Sequence, residues 1–161
     1  GLILDLRGNA GGDNEGMKEL LGLFLIDDRG IFTVCGKDGV IAHRVKPFFR
    51  GPIVVIVDHN SASAAELCAA VLKEQLRDRV TVVGETTKKA VEMGKSVAVA
   101  GNCELWITSG TIETALHDKL EGGGVAPNFV VGLSAQNIAD GNDTQLTAAR
   151  EALQMLLREG K

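Results

Sequence analysis

The chain is poor in aromatic residues: its 161 residues include five Phe, one Trp and no Tyr. Its 17 Lys and Arg residues are scattered and are outnumbered by 21 Asp and Glu, which gives a net charge of −4. Nucleic-acid-binding domains usually present a clustered basic surface, often with aromatic side chains on which bases stack. The composition therefore argues against nucleic acid as a partner.

Cysteine is also scarce, and Cys35, Cys68 and Cys103 are an odd number without the spacing of a metal site. Cys68 and Cys103 lie in apolar segments, so we expect both to be buried free thiols. The three histidines lack metal-ligand spacing as well, and no metal or other cofactor is expected. No apolar run has the length of a membrane span, and no signal peptide is recognisable.

Buried strands alternate with helices along the chain. Apolar β-branched runs predict strands at residues 2–6, 53–57, 80–83 and 129–131, and apolar periodicity predicts helices at 14–25, 64–76 and 144–158. Glycine turns predict a hairpin from residues 30–34 and 40–45 and a strand pair at 96–100 and 104–108, with a loop over 86–95. This order indicates a single α/β domain with a largely parallel central sheet.

The most informative segment is the junction at residues 52–66, where an apolar strand breaks into a turn of small residues and opens a helix. The junction places Ser61 and Ser63 at the helix N-terminus. Backbone N–H groups are unpaired there and the helix dipole is positive, so an oxyanion forming beside such a serine would be stabilised. A serine in this place either caps the helix or acts as a nucleophile.

Four segments then occur in a recognisable order. They are a buried strand running into Arg-Gly-Asn-Ala-Gly-Gly (residues 1–12), Ser-Ala-Ser-Ala-Ala-Glu (61–66), Val-Val-Gly-Glu-Thr (82–86) and Gly-Gly-Gly-Val-Ala-Pro-Asn (122–128). In order and approximate spacing they resemble the carboxy-terminal processing peptidases, also called tail-specific proteases, over residues 1 to about 131. The resemblance implies a ClpP/crotonase-like core with a largely parallel sheet and repeated ββα units. It also implies a serine endopeptidase that cleaves protein or peptide substrates near their C-termini without a cofactor.

The resemblance implies a role for several residues. Ser63 matches the nucleophile, with Ser61 as the helix cap, and the backbone N–H groups of Gly8 and Ala64 match the oxyanion donors. Glu66 is expected beside Ser63, as a hydrogen-bond partner or as a charge in the first helical turn. Asp5 and Arg7 are expected to form an orienting ion pair or contacts at the edge of the core.

The base is harder to place. In the family it is a lysine five residues after the glutamate of the Val-Gly-Glu motif, and that count gives Ala90, which cannot accept a proton. Lys95 stands in a Gly-Lys pair that opens the next strand, and we assign it as the base, with Lys88 or Lys89 as alternatives. The family glutamine that orients the lysine is absent here, and His59 is a further alternative base.

The resemblance also implies features beyond this chain. It begins without Met in a buried strand, so we expect an N-terminally truncated fragment that lacks a PDZ portion. From the resemblance we expect a location outside the cytoplasm, in the bacterial periplasm or cell envelope or in an organelle lumen, and a homo-oligomer is a further expectation.

Two other function classes stay open at this point. The displaced lysine and the glycine segment at residues 122–125, which is also similar to retinoid-binding modules related to these peptidases, favour a non-catalytic ligand-binding or scaffolding module. An acyl-CoA enzyme of the crotonase type is suggested by the shared fold alone.

Overall fold

The computed structural model describes residues 1–25 and 48–160, together with the backbone of two strands at 32–35 and 37–40. Within these residues the strands are β1 (Leu2–Asp5), β2 (Phe32–Cys35), β3 (Lys37–Val40), β4 (Ile53–Val57), β5 (Val80–Gly84), β6 (Glu92–Val99), β7 (Cys103–Thr114) and β8 (Phe129–Val130). The helices are α1 (Asn14–Gly22), α2 (Ala64–Leu76), α3 (Ala135–Ala139) and α4 (Thr144–Arg158), and a 3-10 turn follows α2 at Arg77–Arg79.

The central sheet is parallel throughout, with the order β1-β4-β5-β8. All five residues of β4 are buried, as the unbroken β-branched run predicts for a strand covered on both faces. Ile53, Val55 and Val57 pack in the core that contains α1 and α2, whereas Val54 and Ile56 pack in the core that contains α4. The two-residue period of the strand thus supplies both cores, and the predicted α/β class with a largely parallel sheet is confirmed.

The helices follow the sequence prediction closely. The bounds of α2 and α4 are as predicted, and the Asp143 side chain caps α4 by accepting from the Leu146 N–H at 2.8 Å. Helix α1 ends at Gly22 rather than at residue 25. The short helix α3 was not predicted.

The second sheet is antiparallel, with the order β3-β2-β7-β6. Strands β6 and β7 form a long ribbon that pairs Glu92 with Thr111 at one end and Val99 with Cys103 at the other. The prediction of a loop over residues 86–95 was therefore wrong from residue 92 onward. The hairpin of β2 and β3 is present, but its second strand begins at Lys37; residues 41–45 of that prediction lie outside the described residues.

The structure also bears on the cysteines and on the length of the helices. Cys68 is a buried free thiol as predicted, whereas Cys103 is exposed because it follows the tip of the β6–β7 ribbon. The Cys35 side chain lies outside the described residues. No helix in the described part of the chain is long and apolar enough to cross a membrane.

Candidate active site

Ser63 occupies a strained junction between a turn and helix α2. The residue has φ 52° and ψ −120°, a region that L-amino acids rarely adopt. Its N–H donates to the Ala90 carbonyl at 2.9 Å and to Glu66 Oε2 at 3.1 Å. On its other side, a Cβ added to Gly11 would lie 2.6 Å from Ser63 Cβ and 2.7 Å from the Ala62 carbonyl oxygen, so the turn can close on Ser63 only with glycine at residue 11.

The Glu66 carboxylate holds this junction together from inside the protein. The residue is fully buried, and its two oxygens accept from four donors. Besides the Ser63 N–H, these are the Lys89 N–H at 2.8 Å, the Ala90 N–H at 2.9 Å and the Thr87 hydroxyl. The Thr87 hydroxyl oxygen also accepts from the Val125 N–H at 2.8 Å, so Glu66 links α2 to the segment after β5 and, through it, to the glycine segment.

Ser61 is not the helix cap, because α2 begins one residue after Ser63. Ser61 is completely buried, and its hydroxyl donates to the Leu6 carbonyl at 2.8 Å and accepts from the Asp58 N–H at 3.0 Å. It therefore fastens the turn after β4 to the end of β1. The hydroxyl was predicted to serve the helix, but it satisfies buried strand and turn groups instead.

A cleft of about 150 Å³ opens beside Ser63. It is lined by the glycine turn, the start of α2 and the β6–β7 ribbon, through Gly12, Asn14, Ser63, Ala64, Leu67, Val91, Glu92, Met93, Gly94, Trp106 and Ile112. Most of these residues are small or apolar, and Glu92 is the ionisable one among them. A second cavity of about 170 Å³ shares the lining residues Gly12 and Ala64 with this cleft.

Cys68 is one of the residues that line the second cavity. Burial raises the pKa of its thiol to about 12, so the sulfur is protonated at neutral pH and cannot replace Ser63 as a nucleophile. Among the described residues, no group of three or more His, Cys, Asp or Glu side chains is arranged to hold a metal ion.

The structure does not leave the Gly8 N–H available for an oxyanion. That N–H donates to Asp58 Oδ1 at 2.9 Å, and Gly8 does not line the cleft. Gly12, by contrast, lines the cleft together with Ala64 and Ser63. Ala64 thus borders the cleft, and the glycine of this turn that borders it is Gly12 rather than Gly8. Sequence reasoning could have weighed Gly12, since it belongs to the same glycine turn.

Asp58 organises the turn that engages Gly8. Burial raises the pKa of Asp58, but hydrogen bonds from the Gly8, Ser61 and Asn60 groups outweigh burial and leave the pKa below its ordinary value. The carboxylate is therefore ionised at neutral pH and fixes the β1 and β4 ends relative to each other. Arg7 acts nearby: it pairs with Asp5 as expected and also with Asp143 of the α4 cap.

The structure does not bring Lys95 to Ser63. After a bulge between Met93 and Gly94, Gly94 pairs with Thr108, Lys95 with Ile107 and Ser96 with Trp106. Side chains alternate between the faces of a ribbon, and Gly94 and Trp106 line the cleft. Lys95 is exposed and lies with Ile107 on the opposite face.

The other base candidates lie at the protein surface. Lys88 and Lys89 are exposed, and Lys89, with φ 68°, has a backbone conformation that favours glycine. Ala90 occupies the position between Ser63 and Glu66, because its carbonyl accepts from Ser63 and its N–H donates to Glu66. His59 is largely exposed, and its Nδ1 lies 3.4 Å from Glu85 Oε2.

Comparison with known proteins identifies the family. The family model of peptidase family S41 matches residues 1–131. This chain belongs to peptidase family S41. The resemblance to carboxy-terminal processing peptidases is confirmed by the curated relatives. The chain is 36% identical over 118 residues to the carboxy-terminal processing protease CtpA of Bacillus subtilis, covering 68% of this chain and 25% of that protein.

A second S41 relative is the chloroplastic carboxyl-terminal-processing peptidase 1 of Arabidopsis thaliana, which is 28% identical over 131 residues, or 79% of this chain and 26% of that protein. The chain thus spans about a quarter of the length of these relatives. Solved structures share the S41 fold. The photosystem II D1 C-terminal processing protease gives a TM-score of 0.67 at 24% identity over 81% of this chain and 34% of its own. Mature CPAF gives 0.70 at 15% identity over 99% and 44%.

Proposed function

We propose that this chain is the nucleophile-bearing core of a serine endopeptidase of the carboxy-terminal processing type. The observation that carries the proposal is the backbone of Ser63, which is held at φ 52° at the head of α2 beside an open cleft. Such strain persists only where surrounding contacts impose it, and it clusters at active sites. A helix cap needs no such conformation, since capping residues ordinarily lie in the extended region.

The chemistry follows from what surrounds Ser63. Its hydroxyl oxygen attacks a peptide carbonyl carbon, and the carbonyl oxygen becomes an oxyanion near the amides of Ala64 and Gly12. Collapse of this intermediate breaks the C–N bond, and the amine leaves with the proton that the base took from Ser63. Water then attacks the ester on Ser63, which releases a carboxylic acid and restores the hydroxyl. The substrates are protein or peptide chains, cut near their C-termini as the names of the relatives describe.

Lys95, the proposed proton acceptor, reaches Ser63 only if strand β6 moves. Lys95 can meet Ser63 if β6 shifts by one residue past β7 after the substrate has bound, because such a shift moves every side chain to the other face. The bulge between Met93 and Gly94 lies one residue from Lys95 and is the place where that shift can be absorbed. Burial in the cleft would then have to lower the pKa of the amine for it to act as a base.

A second candidate function is a non-catalytic module that binds peptides in the same cleft. It is favoured by one observation: Ala90, which cannot accept a proton, holds the hydrogen bonds between Ser63 and Glu66. In this candidate Ser63 contacts the bound chain without cleaving it.

Labelling with a fluorophosphonate separates the two candidates. A peptidase is labelled at Ser63, and both Ser63→Ala and Lys95→Ala lose the label because nucleophile and base act as a unit. If the parent protein is not labelled at any of the pH values tested between 6 and 10, the result contradicts the proposal that it is a peptidase.

A gain-of-function pair tests the base position directly. Ala90→Lys puts an amine where the family motif has it, and Ala90→Met adds a chain of similar length without one. We expect Ala90→Lys to raise the labelling rate at least tenfold over Ala90→Met. Equal rates in the two variants would show that residue 90 does not face the reacting serine.

A further inference from the structure

Trp106 stands beside the reacting serine yet remains mostly open to solvent. Its side chain lines the cleft that contains Ser63, and the residue is 70% exposed. Tryptophan is enriched at binding interfaces, because its large ring can be buried against a ligand. Trp106 thus offers most of an indole surface to whatever enters the cleft.

The indole has a fixed seat on the neighbouring strand. A Cβ placed on Gly94 would lie 2.1 Å from Trp106 Nε1 and 2.3 Å from Cε2, so the ring occupies the space that any other residue at 94 would fill. Gly94 and Trp106 are on the same face of the ribbon and lie diagonally across the β6–β7 ladder. Glycine at this position is what allows the ring to lie close against the β6 backbone.

One part of the cleft wall is apolar and can contact an apolar group of limited size, beside the polar Asn14, Ser63 and Glu92. Leu67, Val91 and Ile112 provide its apolar walls, and the Glu92 carboxylate is engaged by the Thr108 hydroxyl at 2.5 Å. An apolar cavity of roughly 150 Å³ can hold a benzene molecule. A volume of about 150 Å³ is therefore suited to one side chain and is too small for a cofactor.

We infer that Trp106, seated on Gly94, is a specificity-determining residue that receives one apolar side chain, such as Leu, Met or Phe, of a peptide lying across Ser63. This inference rests on the proposed function for the nature of the ligand, since Ser63 is the group that selects a peptide. Burial of the indole against an apolar side chain supplies binding energy that a charged side chain cannot.

The chain carries its own optical probe for a test, because Trp106 is its one tryptophan and it has no tyrosine. The Ser63→Ala variant, which cannot turn over substrate, is titrated with acetyl-Ala-Ala-Leu-Ala-amide and with acetyl-Ala-Ala-Asp-Ala-amide. We expect the Leu peptide to shift the emission to shorter wavelength and to bind at least tenfold more tightly than the Asp peptide. Equal affinities, or an emission that neither peptide changes, overturn the inference.

Two variants distinguish the effect of displacing the indole from a general loss of structure. In the Ser63→Ala background, Gly94→Ala pushes the ring out of its seat and should weaken the Leu peptide at least fivefold. Ile107→Ala removes an apolar side chain that is 41% exposed on the opposite face and should leave Kd within twofold. Equal losses in the two variants overturn the inference, and far-ultraviolet circular dichroism verifies that both are folded.

One further variant shows whether the Trp106 inference or the peptidase proposal has failed. Calorimetry with Trp106→Ala should show that the preference for Leu over Asp is lost, and this readout needs no reaction at Ser63. Selective binding without fluorophosphonate labelling supports the Trp106 site and contradicts the peptidase. Labelling with an unchanged Leu preference in Trp106→Ala supports the peptidase and contradicts the Trp106 site.

Discussion

At the scale of single residues, the backbone of Ser63 carries a strain that can be measured. Its φ of 52° is unfavourable for any residue with a Cβ. Ser63→Gly and Ser63→Ala both remove the hydroxyl, but only glycine relieves the backbone. We expect the Gly variant to be more stable than the Ala variant by about 1 kcal/mol, from strain costs of that order. Urea unfolding of the two variants gives the comparison, and an Ala variant of equal or higher stability contradicts it.

Ser61 has a structural task that its neighbour Ser63 does not share. Ser61→Ala leaves the buried Leu6 carbonyl and the Asp58 N–H without the hydroxyl partner that they have now. We expect a loss of about 1–3 kcal/mol in the free energy of unfolding. Ser96→Ala is the matched control, because its exposed hydroxyl contacts Glu104 at the surface, and it should change stability by less than about 0.5 kcal/mol. Similar losses of unfolding free energy in both variants would contradict a special structural role for Ser61.

At the scale of secondary-structure elements, the end of β5 meets the end of β4 through a glycine. Gly84 has φ 123°, and a Cβ there would lie 2.0 Å from the Val57 carbonyl oxygen. Backbone cannot move aside as a flexible side chain can, so Gly84→Ala should cost on the order of 3 kcal/mol or more. Gly132→Ala, with nothing within 4 Å of its Cβ position, is the control. Thermal unfolding should show a large drop in Tm for the first variant and a small change for the second.

The elements that the sequence predicts well are those with a strong local pattern. Strand β4 has five consecutive apolar residues, and α2 has a run of helix formers, so both bounds were predicted. The start of β6 was missed because Glu92–Met93–Gly94 has no alternation and contains a glycine, and its pairing with β7 imposes the strand. The local sequence of β6 does not predict that pairing.

The site was predictable where it depends on position along the chain and unpredictable where it depends on side-chain direction. The strand-turn-helix order places Ser61 and Ser63 near the start of α2, the family resemblance singles out Ser63, and Glu66 lies one helical turn further on. The face on which Lys95 lies depends on a bulge at Met93 and Gly94 that no sequence pattern marks. Likewise, the Gly8 N–H is engaged by the Asp58 carboxylate, which comes from a distant part of the chain.

At the scale of the whole molecule, Asp58 ties together the two turns on which the site is built. Its pKa is lowered in the folded state, so it binds a proton less readily there than in the unfolded chain. Its contribution to stability is therefore fully present at neutral pH and is lost as the pH falls through and below its ordinary value of 3.8. We expect Asp58→Asn to lower Tm at pH 7 and to flatten the fall of Tm below about pH 4.5, near that ordinary range. A parallel loss of Tm in parent and variant on acidification would assign the acid response to other groups.

The buried Glu66 carboxylate has a consequence for the order in which the protein folds. The donors that meet it from the segment after β5 are 21 to 24 residues away along the chain. Contacts of this kind form only after the intervening loop has closed, so α2 can exist before Ser63 is forced into its unusual backbone conformation. Partly folded chains, including those emerging during synthesis, would then carry Ser63 in an ordinary backbone conformation. In native-state hydrogen exchange, the amides of Ser63, Lys89 and Ala90 should open together as one cooperative unit.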